Sequence, residues 1–192
     1  MPRFGIRRMY VAGVPCLVIR MSYVGEDGWE LHCPREYGAA LWEAVWDAGQ
    51  EHGLVAAGLH AMDSLRLERG RLGLGTDLLA DRTPFEAGVG FAVSSKRADF
   101  VGKKALSVSR PRYLLATIAL GDPSLSLLGK EPVLLGGEVI GFVTSANTGW
   151  STDQSLALAY LPVELARPDT ELEVEYFGIR HGGRVLRTPL VA

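Results

Sequence analysis

The chain has 192 residues, of which 47% are hydrophobic and 22% are charged, and its formal net charge is −2 at pH 7. This composition is typical of a globular protein with one medium domain or two small ones, and it excludes a disordered chain. Without an excess of basic residues, nucleic acid is not an expected partner. No apolar run is long enough to cross a membrane. We therefore expect a cytoplasmic protein.

The N-terminal region resembles a signal peptide only superficially. Basic residues precede the apolar stretch Met9–Ile19. However, Pro15 interrupts that stretch, Arg20 ends it, and no small-x-small cleavage site follows. Two strands joined at Ala12-Gly13 explain the same residues and are the structure that we expect.

A hairpin is predicted next. Val14–Ser22 is rich in β-branched residues and predicts a strand, and Trp29–Cys33 predicts the returning strand. Between them lies Gly25-Glu-Asp-Gly28, a turn in which Asp27-Gly28 would supply the positive φ angles of a tight hairpin.

The two cysteines lie in these neighbouring strands. With a tight turn near Glu26, Cys16 would face a residue near position 36, and Cys33 would face one near position 19. They would then not be cross-strand partners, and a disulfide would need backbone movement. We expect two reduced thiols, as in cytosolic proteins.

Two helices are predicted after the hairpin. Pro34 opens the first, Gly49 and Gly53 mark its end, and helical spacing predicts a buried stripe. That stripe consists of Tyr37, Leu41, Val45 and Ala48. The second helix is predicted from about His60 to Arg69, with Gly70 as its C-terminal cap.

After the second helix we expect loops at Gly70–Gly75 and Asp81–Pro84, and a short strand at Val89–Val93. The pattern of apolar and turn residues along the sequence then changes near Gly102. We expect a domain boundary near Leu106–Arg112, which divides the chain into residues 1–106 and 107–192.

The region beyond Arg112 contains short apolar runs separated by turn residues, which is typical of a small antiparallel β-barrel. The runs are Tyr113–Leu120, Pro132–Leu135, Val139–Ser145, Leu156–Leu161, Leu172–Phe177 and Arg184–Leu190. The breaks include Gly121-Asp122-Pro123, Gly136-Gly137, Arg167-Pro168-Asp169 and Gly182-Gly183.

Common site motifs are absent from the sequence. Gly70-Arg-Leu-Gly-Leu-Gly75 does not have the glycine order of a dinucleotide-binding loop. His32 and Cys33 are neighbours in a predicted strand, so their side chains point to opposite faces and do not indicate a metal site. We expect no metal.

Tyr23 and Glu30 flank the predicted turn and are the candidate ligand-binding residues. Glu30 lies between Trp29 and Leu31. One interpretation is an outward-facing strand glutamate. The other is a ligand clamp, because a carboxylate can accept two parallel N–H bonds from a guanidine-like edge such as that of a pterin. Tyr23 could supply a ring face or a hydroxyl beside it.

The segment Arg20-Met-Ser-Tyr-Val-Gly-Glu-Asp-Gly-Trp-Glu-Leu31 resembles a signature of the glycine-cleavage T-protein (aminomethyltransferase) family. The amino-acid sequence of this segment is most similar to the C-terminal folate-binding part of dimethylglycine and sarcosine dehydrogenases. Further similar segments follow in the same order along the chain. They are Ala57-Gly58, Ala61–Glu68, Thr83–Val93, Asp99–Leu106, Gly141–Ser145, Ser155–Tyr160 and the strand that ends at Phe177.

The resemblance implies an α+β fold, with part of a ferredoxin-like folate-binding domain followed by a small C-terminal β-barrel. It also implies one-carbon transfer to tetrahydrofolate, in glycine cleavage or methylamine catabolism. Glu30 matches the glutamate that binds the pterin ring, and Tyr23 matches a tyrosine of the same pocket. A family arginine of the second helix falls on Met62, close to His60.

The resemblance also implies that a front half is missing. The family's module is about twice as long, and its front part carries an aspartate that organises the one-carbon transfer. The catalytic residue is therefore unknown in this chain, and no flavin domain is expected within it. Three hypotheses stay open: a part that acts with a partner chain or by self-association, a folate-binding module without catalysis, and a structural barrel. We expect the chain alone to be inactive.

Overall fold

The computed structural model describes residues 1–93 and 99–187. The chain divides into two compact units, Met1–Met62 and Asp63–Ala192. The first contains a small antiparallel sheet with a helix, and the second contains a closed β-barrel. The predicted α+β class and the predicted C-terminal barrel are therefore confirmed.

The sheet of the first unit has three antiparallel strands in the order β1-β2-β3. They are β1 (Ile6–Val11), β2 (Val14–Ile19) and β3 (Glu30–His32). Ala12 and Gly13 have φ angles of 49° and 80°, as a two-residue hairpin of the type I′ kind requires. The strand pair that we predicted at Ala12-Gly13 is confirmed.

One face of β2 forms the core of this unit. Its residues alternate in burial along the strand, and the three buried ones pack with a single helix residue, Leu41. These three are Val14, Cys16 and Val18. Leu41 belongs to α1 (Gly38–Gln50), which follows a 3₁₀ turn at Arg35–Tyr37.

The predicted buried stripe of α1 is correct only at Leu41. Tyr37 and Val45 are 42% and 37% exposed, and Ala48 is exposed as well. The helical spacing is real, but within this unit a three-stranded sheet is too narrow to cover the whole stripe.

The predicted tight turn between β2 and β3 is wrong. Ile19 pairs with Glu30 and Leu17 pairs with His32, so the connection is the longer loop of residues 20–29. Within it only Gly25 has a positive φ, of 85°.

The longer loop also corrects the register that we predicted for the cysteines. Cys16 precedes Leu17 and Cys33 follows His32, so the observed register brings the two cysteines to the same level of the strand pair. Cys33 packs against the core cluster that contains Cys16, and both thiols are free.

Helix α2 (Leu59–Glu68) ends as the sequence predicts. Gly70 has a φ of 62° and donates its N–H to the carbonyl of Leu67 at 2.9 Å. Arg71 donates its N–H to the carbonyl of Arg66 at 2.8 Å. This pair of bonds is a Schellman motif, which satisfies the last carbonyls of the helix.

The second unit contains a buried ionic network around Arg66, which is only 4% exposed. Its guanidinium donates to Asp63 Oδ1 at 2.7 Å, to Asp77 Oδ2 at 2.6 Å and to Ser145 Oγ at 2.7 Å. Asp77 is fully buried, and its other carboxylate oxygen accepts bonds from the hydroxyls of Ser145 and Thr144. Burial lowers the pKa of Arg66, but the carboxylates of Asp77 and Asp63 outweigh this and raise it.

Two further side chains of α2 bind backbone groups near the end of a barrel strand. Ser64 Oγ donates to the carbonyl of Thr148, and Glu68 Oε1 accepts the N–H of Ser151 at 2.7 Å. Glu68 is 2% exposed. Arg66 and Glu68 are thus two separate buried anchors of this helix.

The barrel has six antiparallel strands and closes between β4 and β9, in the order β4-β7-β6-β5-β8-β9. A short helix, α3 (Lys103–Val108), precedes it. The strands are β4 (Tyr113–Leu120), β5 (Pro132–Leu135), β6 (Glu138–Gly149), β7 (Gln154–Pro162), β8 (Glu171–Tyr176) and β9 (Ile179–Leu186). All six predicted runs correspond to strands, although residues 188–190 of the last run lie outside the described residues.

One predicted break is misplaced. Gly182 and Gly183 lie inside β9, and the hairpin from β8 to β9 turns at Phe177-Gly178, with φ angles of 49° and 75°. A Cβ on Gly183 would lie 3.0 Å from Ile118 Cγ2 and 3.1 Å from the carbonyl oxygen of Ala119. The glycine at position 183 therefore permits close packing and does not make a turn.

The predicted strand at Val89–Val93 is also wrong, because a 3₁₀ turn occupies Gly90–Ala92. The preceding segment is already turning, since Val89 donates its N–H to the carbonyl of Pro84 at 2.9 Å and Gly88 has a φ of 74°. This coiled geometry cannot continue into an extended strand.

Glu86 organises that turning segment. Its carboxylate accepts the N–H of Thr83 at 3.0 Å, the Thr83 hydroxyl at 3.1 Å, and the N–H of Arg112 at 3.1 Å just before β4. Burial tends to raise the pKa of Glu86, but these hydrogen bonds lower it below its ordinary value of 4.5. The charged form of Glu86 therefore stabilises the start of the barrel.

We expect Arg66→Met to destabilise the second unit by about 3–5 kcal/mol, because it leaves the Asp77 carboxylate buried without its cation. Urea unfolding followed by circular dichroism measures this loss. Arg180→Gln is the control, since Arg180 is exposed and makes only long ion pairs of 3.7 Å. The control should stay within about 0.5 kcal/mol of wild type. An Arg66→Met variant as stable as the control would contradict this role of the network.

We expect the stabilising effect of Glu86 to depend on pH. Because its folded pKa lies below the unfolded value of 4.5, its contribution is fully present above pH 4.5 and is lost as the pH falls through the folded value. The Tm difference between wild type and Glu86→Gln should be largest near neutral pH and should shrink at about pH 3. A difference that does not change with pH would show that the charge of Glu86 does not matter.

Candidate functional site

Glu30 is the first residue of β3, and its carboxylate is accessible. The side chain is 47% exposed, and its Oε2 lies 3.0 Å from Nε2 of His32, which is 56% exposed. Residues two apart in a strand project from the same face, so the two side chains meet directly. Glu30 thus presents an open carboxylate that is held on one side by an imidazole.

Sequence reasoning missed His32. We considered it only beside Cys33, where strand alternation separates the two side chains. The spacing of two residues from Glu30 was the signal that could have revealed the carboxylate–imidazole pair.

The loop that leads into Glu30 is tied together by Arg20. Its guanidinium donates to Asp27 Oδ1 at 3.0 Å and to the carbonyl oxygen of Met1 at 2.7 Å. It also lies over the ring of Trp29, 5.5 Å from the ring centroid. A cation over an indole face is attracted by the ring quadrupole. Arg20 therefore connects the start of the loop to its end, immediately before Glu30.

A close backbone approach further restricts this loop. A Cβ on Gly28 would lie 2.8 Å from the carbonyl oxygen of Met21, which is closer than real Cβ atoms come. Gly28 therefore permits the approach, although it does not make the positive-φ turn that we predicted. Gly25 and Gly28 therefore have different roles. Gly25 supplies the positive φ angle, and Gly28 permits the close approach of the backbone.

Tyr23 lies within the same loop and is 36% exposed. The two predicted site residues therefore belong to one segment, residues 23–30, that joins the loop to the first residue of β3. Both side chains are accessible from solvent. The segment can offer an aromatic ring and a carboxylate to a ligand, which is the combination that a flat heterocycle with donor groups requires.

Met62, where the resemblance predicts that a family arginine falls, lies in α2. It is 39% exposed, and its N–H donates to the carbonyl oxygen of Gly58 at 3.2 Å. A thioether cannot donate hydrogen bonds or carry charge, so this position cannot contribute the polar contact of an arginine.

The described residues contain neither a metal-ion cluster nor a membrane-spanning helix. Within residues 1–93 and 99–187, no three or more histidine, cysteine or acidic side chains are arranged to hold a metal ion. Among the same residues, no helix has the length and apolar character needed to cross a membrane.

Two family sequence models match the chain. The GCVT N-terminal domain matches residues 1–97, and the glycine cleavage T-protein C-terminal barrel domain matches residues 114–191. The two matches are in chain order, and the second covers the observed barrel.

Relatives of two kinds are similar to the chain over almost its whole length. Mitochondrial dimethylglycine dehydrogenase of Rattus norvegicus is 38% identical over 189 residues, covering 96% of this chain and 22% of the relative. The aminomethyltransferase of Geobacillus sp. (strain WCH70) is 40% identical over 183 residues, covering 93% of this chain and 50% of the relative. The chain therefore spans at most about half the length of these relatives.

A solved structure agrees with both comparisons. The glycine cleavage system aminomethyltransferase T from Bartonella henselae superposes with a TM-score of 0.82 at 32% identity, over 92% of this chain and 50% of that chain. Together with the match over residues 1–97, this similarity shows that the chain belongs to the glycine-cleavage T-protein (aminomethyltransferase) family.

Proposed function

We propose that this chain is the tetrahydrofolate-binding part of a one-carbon transfer system of the aminomethyltransferase or dimethylglycine/sarcosine dehydrogenase kind. The observation that carries the proposal is the accessible carboxylate of Glu30, at the start of β3 within the family's signature segment.

Glu30 has the chemistry that a pterin edge requires. An ionised carboxylate offers about four acceptor positions on two oxygens, and His32 occupies one of them. The remaining positions can accept two parallel N–H bonds from the pterin, a geometry that is stronger than single neutral bonds. We assign Tyr23 to the same pocket, where its ring can pack against the ligand. Glu30 and Tyr23 therefore fit this cofactor.

His32 is proposed as a positioning residue. When its Nε2 donates to Glu30 Oε2 at 3.0 Å, it fixes the direction of the carboxylate and leaves acceptor positions on both oxygens for the ligand. A pre-oriented acceptor loses less conformational freedom when a ligand binds.

The contribution of this chain to the reaction is positional. Tetrahydrofolate, when bound, accepts the one-carbon unit, and the residues of this chain hold and orient it. Correct placement of two reactants can supply a large part of a rate enhancement. The acidic residue that acts in the family's front part has no counterpart that we assign here.

We also propose that a front half, on the same polypeptide or on a partner chain, completes the first unit. Trp42 and Val55 are 63% and 77% exposed, and Trp42 stacks on Trp46 with ring centroids 6.1 Å apart. Among the described residues, β1 and β3 each pair with one strand only, so both edges of the sheet are open. Open edges and apolar faces attract additional chain, including a second copy.

Two further assignments belong to this proposal. We place the domain boundary between residues 106 and 107, a position bracketed by the two family matches, which end at 97 and begin at 114. The two free thiols are consistent with the cytoplasm as the compartment.

We expect Glu30→Gln to weaken tetrahydrofolate binding about tenfold or more, because an amide NH₂ would face a pterin donor and leave buried polar groups unpaired. Calorimetry on the chain together with its front half measures the change. Glu26→Gln is the matched control, since Glu26 is exposed in the same loop. His32→Ala should weaken binding less than Glu30→Gln does. A folded Glu30→Gln variant that binds like wild type would show that the pterin edge is not at Glu30.

We expect the purified 192-residue chain to show only background one-carbon transfer to tetrahydrofolate, because it spans only half the length of the aminomethyltransferase that it resembles. Adding the front half of a related aminomethyltransferase should produce turnover. Robust turnover by the chain alone would mean that the catalytic group lies within it. Folate binding without turnover, even with the front half present, would instead favour a non-catalytic binding module.

A further inference from the structure

The barrel carries a cavity of about 310 Å³ that the proposed folate site does not use. This volume lies at the lower end of the range of about 300–1,000 Å³ that is typical of small-molecule sites. Its lining residues are Arg82, Tyr113, Lys130, Pro132, Val139, Ile140, Gly141, Phe142 and Tyr160. They include two cations and no acidic side chain, which is a charge pattern that attracts an anion.

Arg82 is held in this cavity by aromatic rings. Its guanidinium carbon lies 4.7 Å from the ring centroid of Tyr113 and 5.0 Å from that of Tyr160. Burial raises the pKa of Tyr160 to about 12, and its hydroxyl donates to the carbonyl oxygen of Asp77 at 2.8 Å. Tyr160 therefore stays neutral and supplies a ring face to the cation.

Stacking on rings orients the guanidinium but does not satisfy its N–H groups. Arg82 Nε is buried and has no hydrogen-bond partner among the residues that the structure describes. A buried donor without an acceptor is costly, and in native proteins such a group is usually paired with a water or an ion.

Lys130 is placed beside the cavity by a constrained loop. It adopts a φ of 79°, which is uncommon for a residue with a Cβ, and its Nζ lies 5.4 Å from the ring centroid of Phe142. The carboxylate of Glu131, only 8% exposed, accepts the N–H groups of Leu128 at 2.7 Å and of Gly129 at 2.9 Å. Residues held in such conformations cluster at ligand-binding sites.

We propose that this cavity binds a small carboxylate with an apolar body, with the carboxylate on Arg82 and Lys130. Guanidinium N–H groups form a planar fork that matches the two oxygens of a carboxylate. Pro132, Val139 and Ile140 supply an apolar wall for the rest of the ligand. All lining residues belong to the unit Asp63–Ala192, so the proposal is independent of the folate site at Glu30.

The test uses benzoate as the probe, titrated into the full 192-residue chain at low salt and followed by calorimetry and NMR. Benzamide has the same shape without the charge, and inorganic phosphate has the charge without the apolar body. Benzoate should saturate one site and bind about tenfold more tightly than either comparison compound. Equal binding of benzoate and benzamide, or of benzoate and phosphate, would overturn the proposal.

Substitutions of the two cations test whether benzoate binds in this cavity. Arg82→Gln should weaken benzoate binding about tenfold. Lys130→Gly should weaken it at least several-fold while keeping the fold, because glycine adopts the φ of 79° without strain. Arg180→Gln is the matched control, since Arg180 is exposed and does not line the cavity. Wild-type affinity in the Lys130→Gly variant, or an equal loss in the control, would contradict the site.

Discussion

The buried pair of Arg66 and Asp77 is the interaction on which the second unit depends. Asp77 is fully buried, and its negative charge is tolerable because Arg66, the N–H of Gly73 and two hydroxyl groups satisfy both of its oxygens. The same guanidinium reaches Ser145 on β6, so one side chain joins a helix, a loop and a barrel strand. This network explains why Arg66 is buried although it carries a charge.

Burial separates the structural acids of this chain from the candidate functional one. Asp77, Glu86 and Glu131 are 0%, 7% and 8% exposed, and each accepts several hydrogen bonds from its own surroundings. Glu30 is 47% exposed and accepts a bond from His32. A carboxylate with open acceptor positions, on a segment constrained by Arg20, is free to recognise a ligand. Carboxylates are thus buried and hydrogen-bonded in the second unit, whereas the candidate ligand-binding segment has an exposed one.

Local signals predicted much of this fold, whereas partners distant in the chain account for several of the errors. Turn residues at short intervals predicted the barrel strands, because strand and turn preferences act within a few residues. The stripe of α1 failed because burial depends on what covers a helix. Gly183 was mistaken for a turn residue. A glycine is needed there because the backbone packs closely against β4, which is distant in the chain. Resemblance pointed to Glu30, and its two-residue spacing from His32 was a local signal of their pairing. The cavity at Arg82 could not be predicted in this way, because its lining residues are distant in the chain.

The central claim is that the Glu30 carboxylate recognises the pterin edge of a reduced folate. A crystal structure of the chain completed by its front half, with tetrahydrofolate bound, tests this claim most directly. The account predicts both Glu30 oxygens within about 2.7–3.2 Å of pterin N–H groups, with Tyr23 against the ligand. A pterin bound elsewhere, with the Glu30 carboxylate still facing solvent beside His32, would contradict it.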